Sequence, residues 1–157
     1  MVKILFVCHG NICRSPMAEF VMKDLVRKAG LEKQFVIQSA ATSREELGNP
    51  VYLPARRKLA EHGIRCSGKT ACQLQAKDYG AYDLLIGMDR ANLHNMRRIC
   101  GGDPDGKMHL LMEYAGQPDR DAADPWYTGD FEATWQDVLA GCQGLLVRLM
   151  AESFAKP

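Results

Sequence analysis

The fold is decided near the start of the chain, where residues 2–16 read VKILFVCHGNICRSP. The apolar run Val2–Val7 has the composition of a buried strand. The loop after it ends at Pro16, which suits the first position of a helix because the missing backbone donor costs nothing there. This stretch therefore predicts a strand, a tight loop and a helix in immediate succession.

The rest of the chain alternates between apolar runs and segments with a helical period. Three more runs of buried-strand type lie at Phe35–Ala40, Tyr82–Met88 and Lys107–Met112. Helical patterns are predicted over Pro16–Ala29, Arg56–His62, Ala76–Tyr79 and Arg90–Ile99. The last helix carries a wide apolar stripe formed by Phe131, Trp135, Val138, Leu139, Cys142, Leu146 and Leu149. Strands that alternate with helices predict a parallel sheet covered on both faces.

The composition excludes several classes of protein. With 157 residues, 46% of them apolar and 25% charged, the chain is expected to form one globular domain over residues 1–157. Twenty Lys and Arg face nineteen Asp and Glu, so there is no basic excess for nucleic acid. The apolar run that includes Ile4–Cys8 is too short to span a bilayer, and the N-terminus lacks the pattern of a signal peptide. We expect a cytoplasmic protein without a membrane or nucleic acid partner.

The six cysteines allow either a disulfide framework or free thiols. They stand at positions 8, 13, 66, 72, 100 and 142. Without a secretion signal, free thiols are favoured. No CxxC pair occurs and the four histidines are not spaced with the cysteines as in a zinc finger, so no structural metal is expected.

The loop from Cys8 to Arg14 has the features of an anion site. Five residues separate the two, few enough to wrap a tetrahedral anion with inward-pointing N–H groups. The following helix adds its positive end, which favours a thiolate at Cys8. Arg14 can grip two phosphate oxygens at once. A buried cysteine at a strand end is often only a small apolar residue; here Ser15 and Pro16 at the helix start, and Asn11 as a brace, favour thiolate attack on phosphorus.

Residues 7–16 resemble the signature loop of the low-molecular-weight protein-tyrosine phosphatases. The resemblance continues in order through residues 39–43, 48–50, 62–64, 83, 88–89 and 124–127, nearly the whole chain. It implies a single phosphatase domain with a four-stranded parallel sheet and helices on both faces, a flavodoxin-like three-layer sandwich. It also implies two-step hydrolysis of phosphotyrosine proteins and aryl phosphates through a phosphocysteine, with inorganic phosphate as product and no cofactor.

The resemblance assigns roles by position. Cys8 becomes the nucleophile, Arg14 the phosphate clamp, and Asp124 the general acid that later assists the hydrolytic water. Ser15 eases departure of the thiolate. The residues expected to bind phosphate or brace the loop are His9, Gly10, Asn11, Ile12, Cys13, Ser15 and Ser39, and those expected to form the pocket walls are Glu45, Trp126 and Tyr127.

The roles of several other residues are less clearly defined by the sequence. Asp89 either orients Arg14 or caps the next helix, and the sequence leaves both open. Cys13 is expected to form a disulfide with Cys8 on oxidation, since a nearby thiol can capture a sulfenic acid. The remaining cysteines, at 66, 72, 100 and 142, are assigned structural roles, and His94 and His109 structural or solvated ones.

Three residues depart from the family pattern. His9 replaces a common apolar wall, Glu45 stands where an aromatic wall is frequent, and Gly68 lies near the position of a bracing histidine in some members. None belongs to the expected chemistry. They therefore bear on the breadth and strength of phosphotyrosine preference.

Three rival functions share parts of this pattern, and the sequence favours none of them. Arsenate reductase shares the fold but needs further cysteines after the third strand, where this chain has only Cys100. The arginine-phosphatase branch tends to have threonine in place of Ile12, whose apolar side chain suits an aromatic ring. A non-catalytic phosphotyrosine-binding or redox-sensing module has no need of a general acid such as Asp124.

Overall fold

The computed structural model describes residues 1–155. The main elements are β1 (Val2–Cys8), α1 (Arg14–Lys28), β2 (Phe35–Ala41), α2 (Leu53–Glu61), α3 (Asp78–Ala81), β3 (Leu84–Gly87), α4 (Arg90–Cys100), β4 (Met108–Leu110), α5 (Pro125–Thr128) and α6 (Phe131–Ala155). Two short 3-10 turns lie at Glu32–Gln34 and Leu111–Glu113.

The four strands form one parallel sheet in the order β2-β1-β3-β4. Val2 pairs with Phe35 on one side of β1, and Ile4 pairs with Leu84 on the other. The strand order therefore reverses between β1 and β3. In open sheets of this kind, ligands bind at the carboxyl ends of the strands beside that reversal, and β1 ends there at Cys8.

Helices cover both faces of the sheet. Side chains alternate along β1, so Ile4 and Phe6 point to one face while Leu5 and Val7 point to the other. The first face packs against α1 and α6, and the second against α4. The predicted four-stranded parallel sheet with helices on both faces is confirmed.

Several predicted boundaries were wrong. Helix α1 begins at Arg14, so Pro16 is its third residue and not its first. The proline still fits, because the first four N–H groups of a helix have no partner inside it. Strand β4 starts at Met108 and ends at Leu110, because a 3-10 turn follows at once.

The connecting segments account for the other differences. The predicted strand at 82–88 is limited to Leu84–Gly87. Helix α2 starts at Leu53 and ends at Glu61, and α3 covers Asp78–Ala81 and not Ala76–Tyr79. Helix α5 was not predicted at all.

The last helix packs as its sequence predicted, with Trp135, Val138 and Cys142 buried. Its two glycines allow a close approach to the segment after β4. A Cβ added at Gly144 would lie 1.8 Å from the carbonyl oxygen of Tyr114. Within residues 1–155, no helix is long and apolar enough to cross a membrane.

Candidate active site

The nucleophile candidate lies at the bottom of the loop between β1 and α1. Cys8 is 4% exposed, and its Sγ accepts a hydrogen bond from the backbone N–H of Asn11 at 3.3 Å. Ser15 Oγ lies 2.9 Å from the same sulfur. Because Ser15 Oγ already accepts from Asn11 Nδ2 at 2.8 Å, its own proton is free to be donated to Cys8. Two donors thus point at the sulfur.

Asn11 holds the loop in its conformation. Its φ of 59° lies in the left-handed region, which is costly for a residue with a side chain. Its Nδ2 donates to Ser15 and, at 2.9 Å, to Ser39, while its Oδ1 accepts from the backbone N–H of Cys72 at 3.1 Å. The fixed amide orientation sets the donor direction of the whole chain of hydrogen bonds that ends at Cys8.

Beneath this network lies a buried carboxylate that the sequence did not reveal. Glu19 on α1 is 1% exposed; its Oε1 accepts from Ser39 Oγ at 2.5 Å and its Oε2 from Lys23 at 2.6 Å. Lys69 Nζ lies 3.5 Å from Glu19 Oε1 and donates to the Ser39 carbonyl at 2.8 Å. Lys69 therefore holds the segment beside Gly68, one of the three residues that depart from the family pattern. The spacing of Glu19 and Lys23 by itself is typical of a solvated helix face, so no sequence signal pointed to burial.

Arg14 is held from three directions although it is only 3% exposed. Its guanidinium donates to Asp89 Oδ2 at 2.9 Å and to the Ala122 carbonyl at 3.2 Å, and lies 3.1 Å from Asp124 Oδ2. Burial disfavours the charged form, but the negative charges of Cys8, Asp124 and Asp89 outweigh it and raise the pKa of Arg14 above its ordinary value. The guanidinium therefore stays charged beside the loop.

Asp89 makes both contacts that the sequence left as alternatives. One carboxylate oxygen accepts from Arg14, and the other accepts from the backbone N–H of Asn92 at 2.7 Å as the N-cap of α4. Capping fixes the carboxylate at the carboxyl end of β3, so the same side chain starts a helix and aims the arginine.

Asp124 reaches the site from the segment before α6. It caps the four-residue helix α5, where its Oδ1 accepts from the backbone N–H of Trp126 at 3.0 Å. Its Oδ2 faces Arg14, and its side chain is 26% exposed. The three residues predicted to carry the chemistry, Cys8, Arg14 and Asp124, are thus brought together at the carboxyl end of β1.

The mouth of the site is a cavity of about 280 Å³. It is lined by Cys8, His9, Gly10, Ile12, Cys13, Arg14, Glu45, Glu46, Asp124, Trp126 and Tyr127. His9 and Glu45, the two residues at the mouth that depart from the family pattern, contact each other: His9 Nε2 lies 3.0 Å from Glu45 Oε2. Trp126 and Tyr127, which also line the cavity, are 59% and 86% exposed. Glu46 was not among the predicted pocket residues.

The cysteines of residues 1–155 are all free. Cys13 lies in the loop, 7% exposed, and burial together with the charge of Cys8 raises its pKa to about 12. Cys66 and Cys142 are buried, and Cys100 is half-buried. Cys72 is exposed, although its Sγ donates to the Ser39 carbonyl at 3.3 Å. In the same described part of the chain, no three His, Cys, Asp or Glu side chains cluster in a way that suits a metal ion.

Residues 3–155 match the family model described as low molecular weight phosphotyrosine protein phosphatase. This chain belongs to that family. The low molecular weight protein-tyrosine-phosphatase YfkJ of Bacillus subtilis is 37% identical over 153 residues, 97% of this chain and 98% of the relative. PtpA of Staphylococcus aureus strain MRSA252 is 31% identical over 156 residues, 99% of each chain.

Solved structures of other low molecular weight phosphatases have the same fold. The crystal structure of YfkJ superposes with a TM-score of 0.93 and covers 97% of this chain and 96% of its own. The enzyme SP-PTP from Streptococcus pyogenes is 41% identical, with a TM-score of 0.87 over 98% of this chain and 97% of its own. The sequence-based assignment to the low molecular weight phosphatases is confirmed.

Proposed function

We propose that the chain hydrolyses phosphotyrosine and aryl phosphate monoesters in two steps through a phosphocysteine at Cys8, as one catalytic domain. The observation that carries the proposal is the convergence of three groups. The sulfur of Cys8 receives two hydrogen bonds at the end of β1, and the Arg14 guanidinium, aimed by Asp89, lies 3.1 Å from Asp124. The free cysteines further support a reducing compartment, and we place the enzyme in the cytoplasm.

In the first step the phosphate dianion enters the loop and takes over part of the Arg14 fork. Asp124 then exchanges its contact with Arg14 for the oxygen that joins phosphorus to the ring. Asp124 takes up a proton from solvent when it leaves Arg14 for this oxygen. The Cys8 thiolate attacks, so the P–S bond forms and the P–O bond breaks, and Asp124 gives that proton to the departing phenolate. The loop amides and Arg14 stabilise the charge that develops on the equatorial oxygens.

In the second step the same groups act in reverse. Asp124, now a carboxylate, takes a proton from a water molecule that attacks phosphorus. The P–S bond breaks and inorganic phosphate is released. The Ser15 hydroxyl donates a hydrogen bond to the departing thiolate and keeps its proton, a direction favoured by the bond from Asn11. The network that fixes Asn11 therefore serves both steps.

The shape of the mouth supports an aromatic leaving group. Ile12, Trp126 and Tyr127 all line the cavity. The ring of Trp126 is supported by Tyr52, with centroids 5.5 Å apart. Apolar and aromatic walls suit the flat ring of a phenolate leaving group.

We also propose that the site is redox-sensitive. Peroxide oxidises the Cys8 thiolate to a sulfenic acid, with loss of hydroxide. The Cys13 thiol then condenses with it, which forms a disulfide and releases water. Cys13 holds its proton strongly while Cys8 is charged. Burial is the larger cause of the raised pKa of Cys13 and the charge of Cys8 adds to it. Oxidation of Cys8 removes only the second cause, while burial remains.

A turnover and trapping experiment tests the proposed function. Purified enzyme is given a phosphotyrosine peptide, phosphoarginine and arsenate with a thiol reductant, each in the presence of a chelator. We expect turnover of the phosphotyrosine peptide above all. Acid quenching during turnover and peptide mapping should find phosphate on Cys8. Phosphate on another residue, or faster hydrolysis of phosphoarginine, contradicts the proposal.

A further inference from the structure

Most of the charged side chains around the mouth are negative, whereas a phosphate dianion is attracted to positive charge. Among the described side chains that line the cavity, the carboxylates are Glu45, Glu46 and Asp124, and the basic groups are Arg14 and His9. Arg14 is buried and occupied by Asp89 and Asp124, so its charge is directed inward. The outer rim is therefore acidic, next to a site for a phosphate dianion.

Glu46 has a fixed position on this rim. Its Oε2 accepts from Asn49 Nδ2 at 2.6 Å, and the Asn49 backbone N–H donates to the Glu46 carbonyl at 2.9 Å. Its Cγ packs over the phosphate loop, 3.4 Å from the position that a Cβ on Gly10 would take. No cation in the described contacts neutralises Glu46, because its partner Asn49 is uncharged.

Glu45 extends the rim further into solvent. Its side chain is 69% exposed and contacts His9, which is 57% exposed. The neighbouring Arg44 is not among the residues that line the cavity, and its Nε donates to the uncharged Gln73 at 3.1 Å. Two carboxylates thus line the mouth of the cavity.

We propose that Glu45 and Glu46 select phosphotyrosine segments that carry lysine or arginine next to the phosphotyrosine. This proposal rests on the proposed function and specifies its substrate class. The buried loop takes the phosphate whatever its surroundings, and the rim adds attraction for a flanking cation and repulsion for a flanking carboxylate. A segment with apolar residues next to the phosphotyrosine is neither attracted nor repelled, so its kcat/KM is expected to lie between the other two.

Three phosphotyrosine peptides that differ only in their flanking residues provide the test: one with lysines, one with alanines and one with glutamates. We expect kcat/KM for the lysine peptide to exceed that for the glutamate peptide by about three- to ten-fold at low salt, the range of a few exposed charge pairs. The ratio should shrink when ionic strength is raised to about 0.5 M, because exposed charges are screened. The double variant Glu45→Gln/Glu46→Gln should reduce the ratio to below about two-fold.

Glu32→Gln is the matched control, since Glu32 is an exposed carboxylate before β2, at the end of that strand far from the loop. It should keep the wild-type ratio. Equal rates on the three peptides, a preference for the glutamate peptide, or a ratio that persists in the double variant overturns the proposal. Phenyl phosphate, which has no flanking residues, separates the two levels: turnover of phenyl phosphate without peptide preference rejects only the rim, whereas no turnover at all rejects the function and the rim together.

Discussion

The floor and the rim of this active site are built in opposite ways. On the floor, Asn11, Ser15 and Ser39 are at most 1% exposed and hydrogen-bond to one another. On the rim, His9 and Glu45 form one pair that is more than half exposed. A buried network holds its dipoles fixed for the transition state, whereas an exposed pair contributes little energy. The floor is therefore suited to carry the proposed reaction, and the rim to carry the proposed choice of substrate.

The largest effects are expected when the floor loses a reacting group. Cys8→Ser should reduce turnover to background while phosphate still binds, because a serine hydroxyl is not ionised in this loop and the amide nest remains. Cys100→Ser, at the end of α4, is the control and should remain active. Kinetics with an aryl phosphate and equilibrium phosphate binding measure the two properties. Retained turnover in Cys8→Ser assigns the nucleophile elsewhere.

Arg14→Lys tests the same floor through its geometry. A lysine keeps the positive charge but cannot bind two phosphate oxygens in a planar fork, and it loses the contacts to Asp89 and Ala122. We expect Arg14→Lys to lose most of its kcat/KM. Arg27→Lys, near the exposed end of α1, is the control and should behave as wild type. Comparable kcat/KM values for Arg14→Lys and wild type contradict the bidentate role.

An intermediate effect is expected at Asp124, which lies between the floor and the rim. Asp124→Asn should slow phosphotyrosine hydrolysis by roughly 10²- to 10⁴-fold, the contribution of a positioned proton donor. The loss should shrink as the leaving phenol becomes more acidic, since such a phenol departs with less protonation. Asp119→Asn, an exposed aspartate outside the cavity lining, is the control. Equal losses across a series of aryl phosphates show that another group is the acid.

Oxidation tests whether the second cysteine of the loop protects the first. Cys13→Ser should keep catalytic activity, but its inactivation by peroxide should be poorly reversed by thiols, because no disulfide captures the sulfenic acid of Cys8. Activity recovered with dithiothreitol after a peroxide pulse is the measurement, and Cys66→Ser is a control at a second buried cysteine. Peptide mapping of oxidised wild type without a Cys8–Cys13 bond, or full recovery of Cys13→Ser, contradicts the prediction.

The floor and the rim also differ in what the sequence could predict. Strand and helix order followed from local periodicity, and the loop followed from Cys8, Arg14 and Pro16 at short spacing. Glu19 and Lys69 did not, because they lie far apart in the sequence and only tertiary packing buries them together. Helix α5 was missed because four residues carry no period; its capping by Asp124 depends on local hydrogen bonds.

The smallest expected effect belongs to Glu45, and it tests which property of the rim matters for the ring of the substrate. An aromatic wall contributes about 0.5 to 1.5 kcal/mol beyond area burial. Repulsion between an exposed carboxylate and a phosphate dianion some 8 to 10 Å away amounts to roughly a few tenths of a kcal/mol in salt. Packing therefore outweighs charge at this position. Glu45→Tyr should lower KM for small aryl phosphates several-fold with little change in kcat, because the contact is equal in ground and transition states.

Glu45→Gln separates charge from packing at the same position. It keeps the size of the side chain and a hydrogen-bond acceptor for His9, so it should lower KM for aryl phosphates far less than Glu45→Tyr. Whatever it does should fade as ionic strength rises. Steady-state kinetics of both variants at low and high salt distinguish the effect of charge from that of packing. If Glu45→Gln matches Glu45→Tyr, charge dominates on the rim; if neither changes KM, the ring of the substrate does not reach Glu45, and this residue contacts only what flanks the phosphotyrosine.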